Sequence, residues 1–264
     1  MNDKQLYTTQ LQAGLGNVRE TRMLLEIWQP GMDLRTLFQR DLDSGHFPKV
    51  SARRLRNVVS ECFAPRYLVS DGYPASLLKK LADIIPGQGF SQLLFLFTSR
   101  ANPILADFVR EVYWRAYSNG KESVANSQAA LFIRDALQAG KMGFPWSEST
   151  IRRMARYLTR CCSDFGLLEG KRVNVRKILP FRILPVTVAL LGYDLHFARF
   201  SDNAVIAHPD WDLFGFGPNE VIEEFRRLSL KGFLILQSAG DLTRISWRYG
   251  SWEDLIGVIT QEQL

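Results

Sequence analysis

Apolar residues recur at helical spacing through the first half of this chain. Between Asn17 and Gln29 they fall every three or four positions, and the pattern stops at the turn-forming pair Pro30-Gly31. This spacing, ended by helix breakers, is typical of an amphipathic α-helix. The same criteria predict further helices over residues 33–43, 51–63, 74–85, 90–99 and 103–117. The first half is therefore predicted to be all-helical.

The second half mixes helices with short strands. Turn-forming residues fill 118–126, and helical spacing returns over 127–139 and 148–165. Partial alternation over 167–183 predicts a β-hairpin. The remaining predicted elements are a helix over 218–231, hairpin strands over 233–237 and 242–247, and a final helix that begins after Ser251.

These elements predict a mainly α fold, with a helical N-terminal domain followed by winged helix-turn-helix-like units with short β-hairpins. We place the domain boundary in the turn-rich segment, which gives an all-helical domain at 1–120 with a helix-turn-helix-like pair at 33–63. The winged-helix region at 121–264 then contains a basic winged unit at 127–183 and an acidic helix-hairpin-helix unit at 218–264.

The charge of the chain is unevenly distributed. Its net charge is +6, and residues 146–182 alone hold nine basic and three acidic side chains. Residues 183–264 are acidic, with six basic side chains against eleven acidic ones. A chain polarised in this way has a candidate surface for a polyanion in one region only.

The predicted helix at 148–165 separates its arginines from its apolar residues. At about 100° per residue, four arginines fall within an arc of about 100°, roughly opposite the apolar side chains. Guanidinium groups stay charged and can donate two hydrogen bonds to a phosphate or a base edge. This row of arginines, called the arginine stripe below, is therefore suited to binding DNA. A solvated basic face is the alternative. The candidate DNA-binding residues are Arg152, Arg153, Arg156 and Arg160 on the helix and Lys171, Arg172, Arg176 and Lys177 on the hairpin.

A second basic cluster lies at the start of the predicted helix over 51–63. Its arginines span an arc of about 160°, so a purely structural helix pair is the alternative to DNA contact. The additional candidate residues are Lys49, Arg53, Arg54 and Arg56. The helix at 218–231 instead carries Glu220, Glu223 and Glu224, which favours packing or protein contact.

The sequence offers little for catalysis, cofactors or metals. The three histidines are far apart, the three cysteines lack ligand spacing, and no phosphate-binding loop occurs. We therefore expect no enzymatic activity, no catalytic or metal-binding residues, no cofactor and no small-molecule substrate. The odd cysteine count indicates a reducing, cytoplasmic setting, and the apolar stretch at 183–193 is too short to span a membrane.

Seven blocks of the chain carry a resemblance that is specific only when they are taken together. They are Glu20–Leu25, Phe63–Leu68, Ser99–Trp114, Pro145–Thr150, Asp164–Leu168, Ile178–Arg182 and Leu236–Trp247. Together these blocks resemble the BrxA family of the bacterial BREX phage-exclusion systems. The resemblance implies a non-enzymatic, mainly helical accessory protein that binds DNA and works beside the methyltransferase and ATPase of the system. It carries no catalytic motif to transfer onto this sequence.

Together these arguments predict a cytoplasmic protein of antiviral defence that binds double-stranded DNA, with other BREX components as further partners and no membrane. The alternative is a protein–protein adaptor, or an RNA-binding protein, whose basic face docks an acidic partner within a defence complex.

Overall fold

A computed structural model of the protein describes residues 6–45, 47, 50–170, 173–239 and 242–262. This part of the chain is mainly helical, which confirms the predicted fold class. Its strands form two antiparallel pairs, β1 (Ser123–Ala125) with β2 (Val175–Lys177) and β3 (Leu234–Ala239) with β4 (Leu242–Trp247). Within these ranges, no helix combines the length and the apolar composition needed to cross a lipid bilayer.

The predicted helices occur in the predicted order, and the structure adds two that were not predicted, over residues 185–197 and 202–206. Those of the first half are α1 (Val18–Ile27), α2 (Leu34–Ser44), α3 (Ala52–Asn57), α4 (Ala64–Tyr67), α5 (Tyr73–Leu81), α6 (Gly87–Ala101), α7 (Pro103–Phe108) and α8 (Trp114–Ser118). Those of the second half are α9 (Asn126–Gln138), α10 (Glu148–Asp164), α11 (Pro185–Phe197), α12 (Asp202–Ile206), α13 (Pro218–Leu230) and α14 (Trp252–Glu262). Short 3-10 helices occur at Gln10–Ala13, Ser70–Gly72 and Trp211–Phe214.

Two of the predicted helices contain a wider turn. Val58–Phe63 forms a π-helical turn between α3 and α4, and Val109–Tyr113 forms another between α7 and α8. The helix predicted over residues 51–63 is expected to end before Pro65, but the chain stays helical to the end of α4. Proline cannot donate the backbone hydrogen bond that an α-helix requires, and the altered pairing of the preceding π turn lets the helix continue through it.

The chain divides into two compact bodies. The first body is Met1–Lys80 with Leu94–Phe181, and the second body is Leu81–Leu93 with Arg182–Leu264. The predicted domain boundary near residue 120 lies inside the first body, because β1 directly after it pairs with β2. The first body holds 26 basic and 15 acidic residues, whereas the second holds 7 and 12. The polarity noted in the sequence therefore follows the division of the fold.

In the second body, α11 is buried on nearly all sides, as its mostly apolar sequence requires. Its Tyr193 hydroxyl donates to the Phe233 carbonyl at 2.5 Å and accepts from the Arg248 amide at 3.1 Å. Asp202, at the start of α12, accepts from the Ile245 amide of β4 at 2.9 Å. These bonds tie the β3–β4 hairpin to the helices beneath it.

Candidate nucleic-acid interface

Helix α10 buries one side and exposes the other. Its buried side packs against α9 and consists of Ile151, Met154, Ala155, Leu158, Thr159, Cys161 and Cys162. Its exposed side carries Arg152, Arg153 and Arg156. No acidic side chain in the described ranges forms an ion pair with Arg153 or Arg156. The structure thus leaves these two guanidinium groups open to a ligand from solvent.

The first turn of α10 carries an acidic residue between two arginines. Glu148 accepts two hydrogen bonds from Arg134 of α9, from Nε at 3.0 Å and from Nη2 at 2.8 Å. The same carboxylate lies 4.0 Å from Nε of Arg152, whose side chain remains 74% exposed. The Arg134 hydrogen bonds hold the pKa of Glu148 below its ordinary value. Sequence reasoning missed Arg134, because a single arginine on α9 has no periodic signal that would connect it with α10.

Arg160, at the other end of the stripe, interacts with two other residues of the protein. Its Nε lies 2.9 Å from Oδ1 of Asp164, and its Nη1 donates to the Gly170 carbonyl at 3.3 Å. Oδ2 of Asp164 accepts from the Gly16 amide at 3.2 Å. Burial raises the pKa of Asp164, while the charge of Arg160 opposes that rise. Arg160 therefore has a structural role in addition to its position on the stripe.

In the hairpin after α10, the side chains that are buried differ from those that the sequence predicts. The Glu169 amide donates to the Lys177 carbonyl at 2.9 Å, so the segment before β2 pairs with it as the predicted hairpin requires. However, Arg176 is only 5% exposed and donates to the Glu169 carbonyl at 2.9 Å, whereas Val175 is 54% exposed. Arg176 opposes the buried Val124 of β1, and this pairing turns it inward. The expectation that Arg176 contacts flanking DNA is corrected accordingly.

The other predicted residues fall into two groups. Lys177 is exposed beside Arg176, and Arg53, Arg54 and Arg56 are exposed on α3. Lys49, Lys171 and Arg172 lie outside the described residues.

The two basic helices border one cleft of about 630 Å³. Arg54 and Asn57 of α3 line one wall, and Tyr157 of α10 lines another. The 3-10 helix Gln10–Ala13 forms part of the lining, and its Ala13 carbonyl accepts from Nη1 of Arg54 at 2.7 Å. Arg54 is the predicted DNA-binding residue among the described lining residues, Glu61 adds a carboxylate, and the α10 arginines are not among them.

The thiols and the potential metal ligands do not form a reactive centre. Cys62, Cys161 and Cys162 are free and buried, and burial raises the pKa of each thiol. Thiols with raised pKa values remain protonated at neutral pH and are poor nucleophiles. In the part of the chain that the structure describes, no three His, Cys, Asp or Glu side chains are grouped as a metal site would require.

Comparison with known proteins identifies the family. A search of curated proteins found no match. The family model for BrxA matches residues 5–193, which is more than two thirds of the chain and includes the whole of α1 to α10. The resemblance seen in the sequence blocks is thereby confirmed. The chain belongs to the BrxA family, and it is a component of a BREX phage-defence system.

Proposed function

We propose that this protein binds double-stranded DNA as a non-enzymatic accessory component of its BREX system. One observation carries the proposal: α10 exposes three arginines on the side opposite its buried apolar residues. Guanidinium groups presented in a row along a helix can contact phosphates and base edges together.

The order of elements around α10 supports this role. A helix ending in α8 is followed by β1, α9, α10, a strand-like segment at 167–169 and β2. This order is similar to that of a winged helix-turn-helix, in which the second helix of the pair enters the major groove and the hairpin lies beside it. In this arrangement α10 is the recognition helix, and Lys177, which is exposed on β2, can contact phosphates beside the groove.

The shared cleft supports a wider contact surface. Because Arg54 and Tyr157 line the same cleft, DNA seated on α10 can also lie close to α3. Arg53 and Arg56 add two further positive charges there. We therefore propose a footprint that spans both helices, with α10 as its centre.

A salt titration tests the proposal directly. If about six phosphates are neutralised, the logarithm of affinity should fall with the logarithm of salt concentration at a slope of about −5. The affinity would then fall roughly a thousandfold between 50 and 200 mM salt. The key variant replaces Arg152, Arg153 and Arg156 with Ala and keeps Arg160, because Arg160 also bonds Asp164 and Gly170. We expect at least a hundredfold weaker duplex binding and a shallower slope, with an unchanged circular dichroism spectrum.

The control replaces Arg226 and Arg227 of α13, which are also exposed but lie in the second body. This variant should bind duplex DNA as the wild type does. Wild-type protein that fails to bind duplex DNA at 50 mM salt would contradict the proposal. Binding to RNA alone would instead favour the RNA-binding role, and binding to an acidic protein alone would favour the adaptor role.

A further inference from the structure

A large apolar side chain is exposed immediately before α10. Phe144 lies in the loop 141–147 between α9 and α10 and is 68% exposed. Gly143 and Pro145 beside it are exposed as well, whereas the residues two positions away on either side point inward, since Met142 is 8% exposed and Trp146 is 6% exposed. The buried neighbours fix the direction of the loop, so Phe144 is presented to solvent by the fold itself.

The start of this loop is held by several bonds. The Lys141 carbonyl accepts from the Tyr7 amide at 2.8 Å, and Tyr7 pairs with Met142 in a parallel bridge. Nζ of Lys141 lies 3.0 Å from Oδ2 of Asp107 and 3.1 Å from the Tyr7 hydroxyl. The Tyr7 hydroxyl itself donates to Asp107. Three side chains and one backbone bridge therefore anchor the start of the loop before it reaches Phe144.

The end of the loop is fixed by the start of α10. Ser147 is the N-cap, and its hydroxyl accepts from the Thr150 amide at 3.3 Å. Phe144 is thus held only four residues before Glu148, the first residue of the helix that exposes the arginine stripe. An exposed aromatic ring therefore precedes the helix of the proposed DNA-binding surface by four residues, on a loop that is held at both ends.

We propose that Phe144 makes an apolar contact with the DNA duplex and supplies the salt-independent part of the binding affinity. This inference rests on the proposed function. Arginine–phosphate contacts release counterions and weaken as salt rises, whereas a ring packed on a sugar or a base releases none. Proteins that contact duplex DNA use phenylalanine as an apolar wedge, and stacking on a base changes affinity by roughly 5- to 150-fold.

The test compares duplex affinity over a range of salt concentrations. Phe144→Ala should weaken binding about 5- to 50-fold at every salt concentration and leave the slope of log affinity against log salt unchanged. Phe144→Trp keeps an aromatic surface and should bind within about threefold of the wild type. The matched control is Leu131→Ala, because Leu131 on α9 is 56% exposed in the same body. That control should bind as the wild type does.

Three results would overturn the inference. If the wild type binds DNA and Phe144→Ala binds equally well, the apolar contact does not exist, although the proposed function stands. If Phe144→Ala changes the slope, the residue acts by positioning arginines and not by its own contact. If the wild type does not bind duplex DNA, the proposed function fails as well, and capture of a BREX protein lost only in Phe144→Ala would assign the ring to a protein partner. Thermal melting of each variant verifies that it is folded.

Discussion

The basic region around α10 and the acidic region around α13 have the same local plan and opposite charge. Each consists of a helix followed by a short antiparallel hairpin. On α13, Arg226 pairs with Glu223 and Arg227 pairs with Glu224, so its basic side chains are matched within the helix. On α10, Arg153 and Arg156 have no such partners among the described residues. The plan is therefore common to both regions, and the unmatched charge distinguishes them.

The difference shows that one local architecture can carry either charge pattern, so architecture alone does not predict nucleic-acid binding. In the second body the hairpin packs on α11, where the rings of Tyr193 and Trp247 lie 4.9 Å apart. What a polyanion requires is positive charge that no neighbouring carboxylate already satisfies. The variants below change the unpaired positive charge of α10 or the paired charge of α13.

The largest effect is expected from matched charge reversals in the two helices. Replacing Arg153 and Arg156 with Glu should weaken duplex binding on the order of 100- to 1,000-fold at low salt, because two phosphate contacts become repulsions. Replacing Arg226 and Arg227 with Glu should leave duplex binding unchanged. Fluorescence anisotropy with a labelled duplex measures both. Equal losses in the two variants would mean that net charge, and not the stripe on α10, determines binding.

A smaller effect of opposite sign is expected at Glu148. Glu148→Gln removes the carboxylate that pairs with Arg134 and lies near Arg152, so both guanidinium groups become available to phosphates. We expect duplex affinity to rise about three- to tenfold and the salt slope to steepen by about one. Glu223→Gln, which releases Arg226 on α13 in the same way, is the control and should have no effect. A weaker-binding Glu148→Gln variant would indicate that the carboxylate contacts a base instead.

The smallest effect concerns pH and the second body. Burial lowers the pKa of His196 below its ordinary value of 6.5, although Asp202 opposes this shift. The unfolded chain therefore binds a proton more readily than the folded one, and this contribution to stability is present above pH 6.5 and lost as the pH falls below it. His196→Phe keeps the stacking on Trp247, whose ring centroid lies 4.6 Å away, and removes the titration. Melting temperatures at pH 7.5 and 5.5 should differ less in this variant than in the wild type.

Sequence reasoning predicted best where a pattern repeats over many residues. The apolar side of α10 extends over seventeen residues, so its 3.6-residue period specifies which side chains are buried. Helix starts were also predictable, because Asp33 and Ser51 cap α2 and α3 through their own side chains. Local chemistry determines both features, and a single sequence contains all of it.

Short elements with distant partners could not be predicted. β2 has three residues, and the choice of its inward side depends on pairing with β1, so alternation alone assigned Arg176 to solvent wrongly. The Arg134–Glu148 pair joins two helices and depends on how α9 packs on α10. The cleft shared by Arg54 and Tyr157 likewise depends on tertiary packing. Sequence periodicity contains no information on contacts between elements.

The pairing of Tyr7 with Met142 connects parts of the chain that are synthesised at different times. Residue 7 leaves the ribosome well before residue 141, so its backbone bridge to Met142 cannot form until α9 and the following loop have emerged. Contacts between such distant residues form slowly, because a long loop must close first. We therefore expect the loop that carries Phe144, and with it the first turn of α10, to reach its final conformation among the last steps of folding.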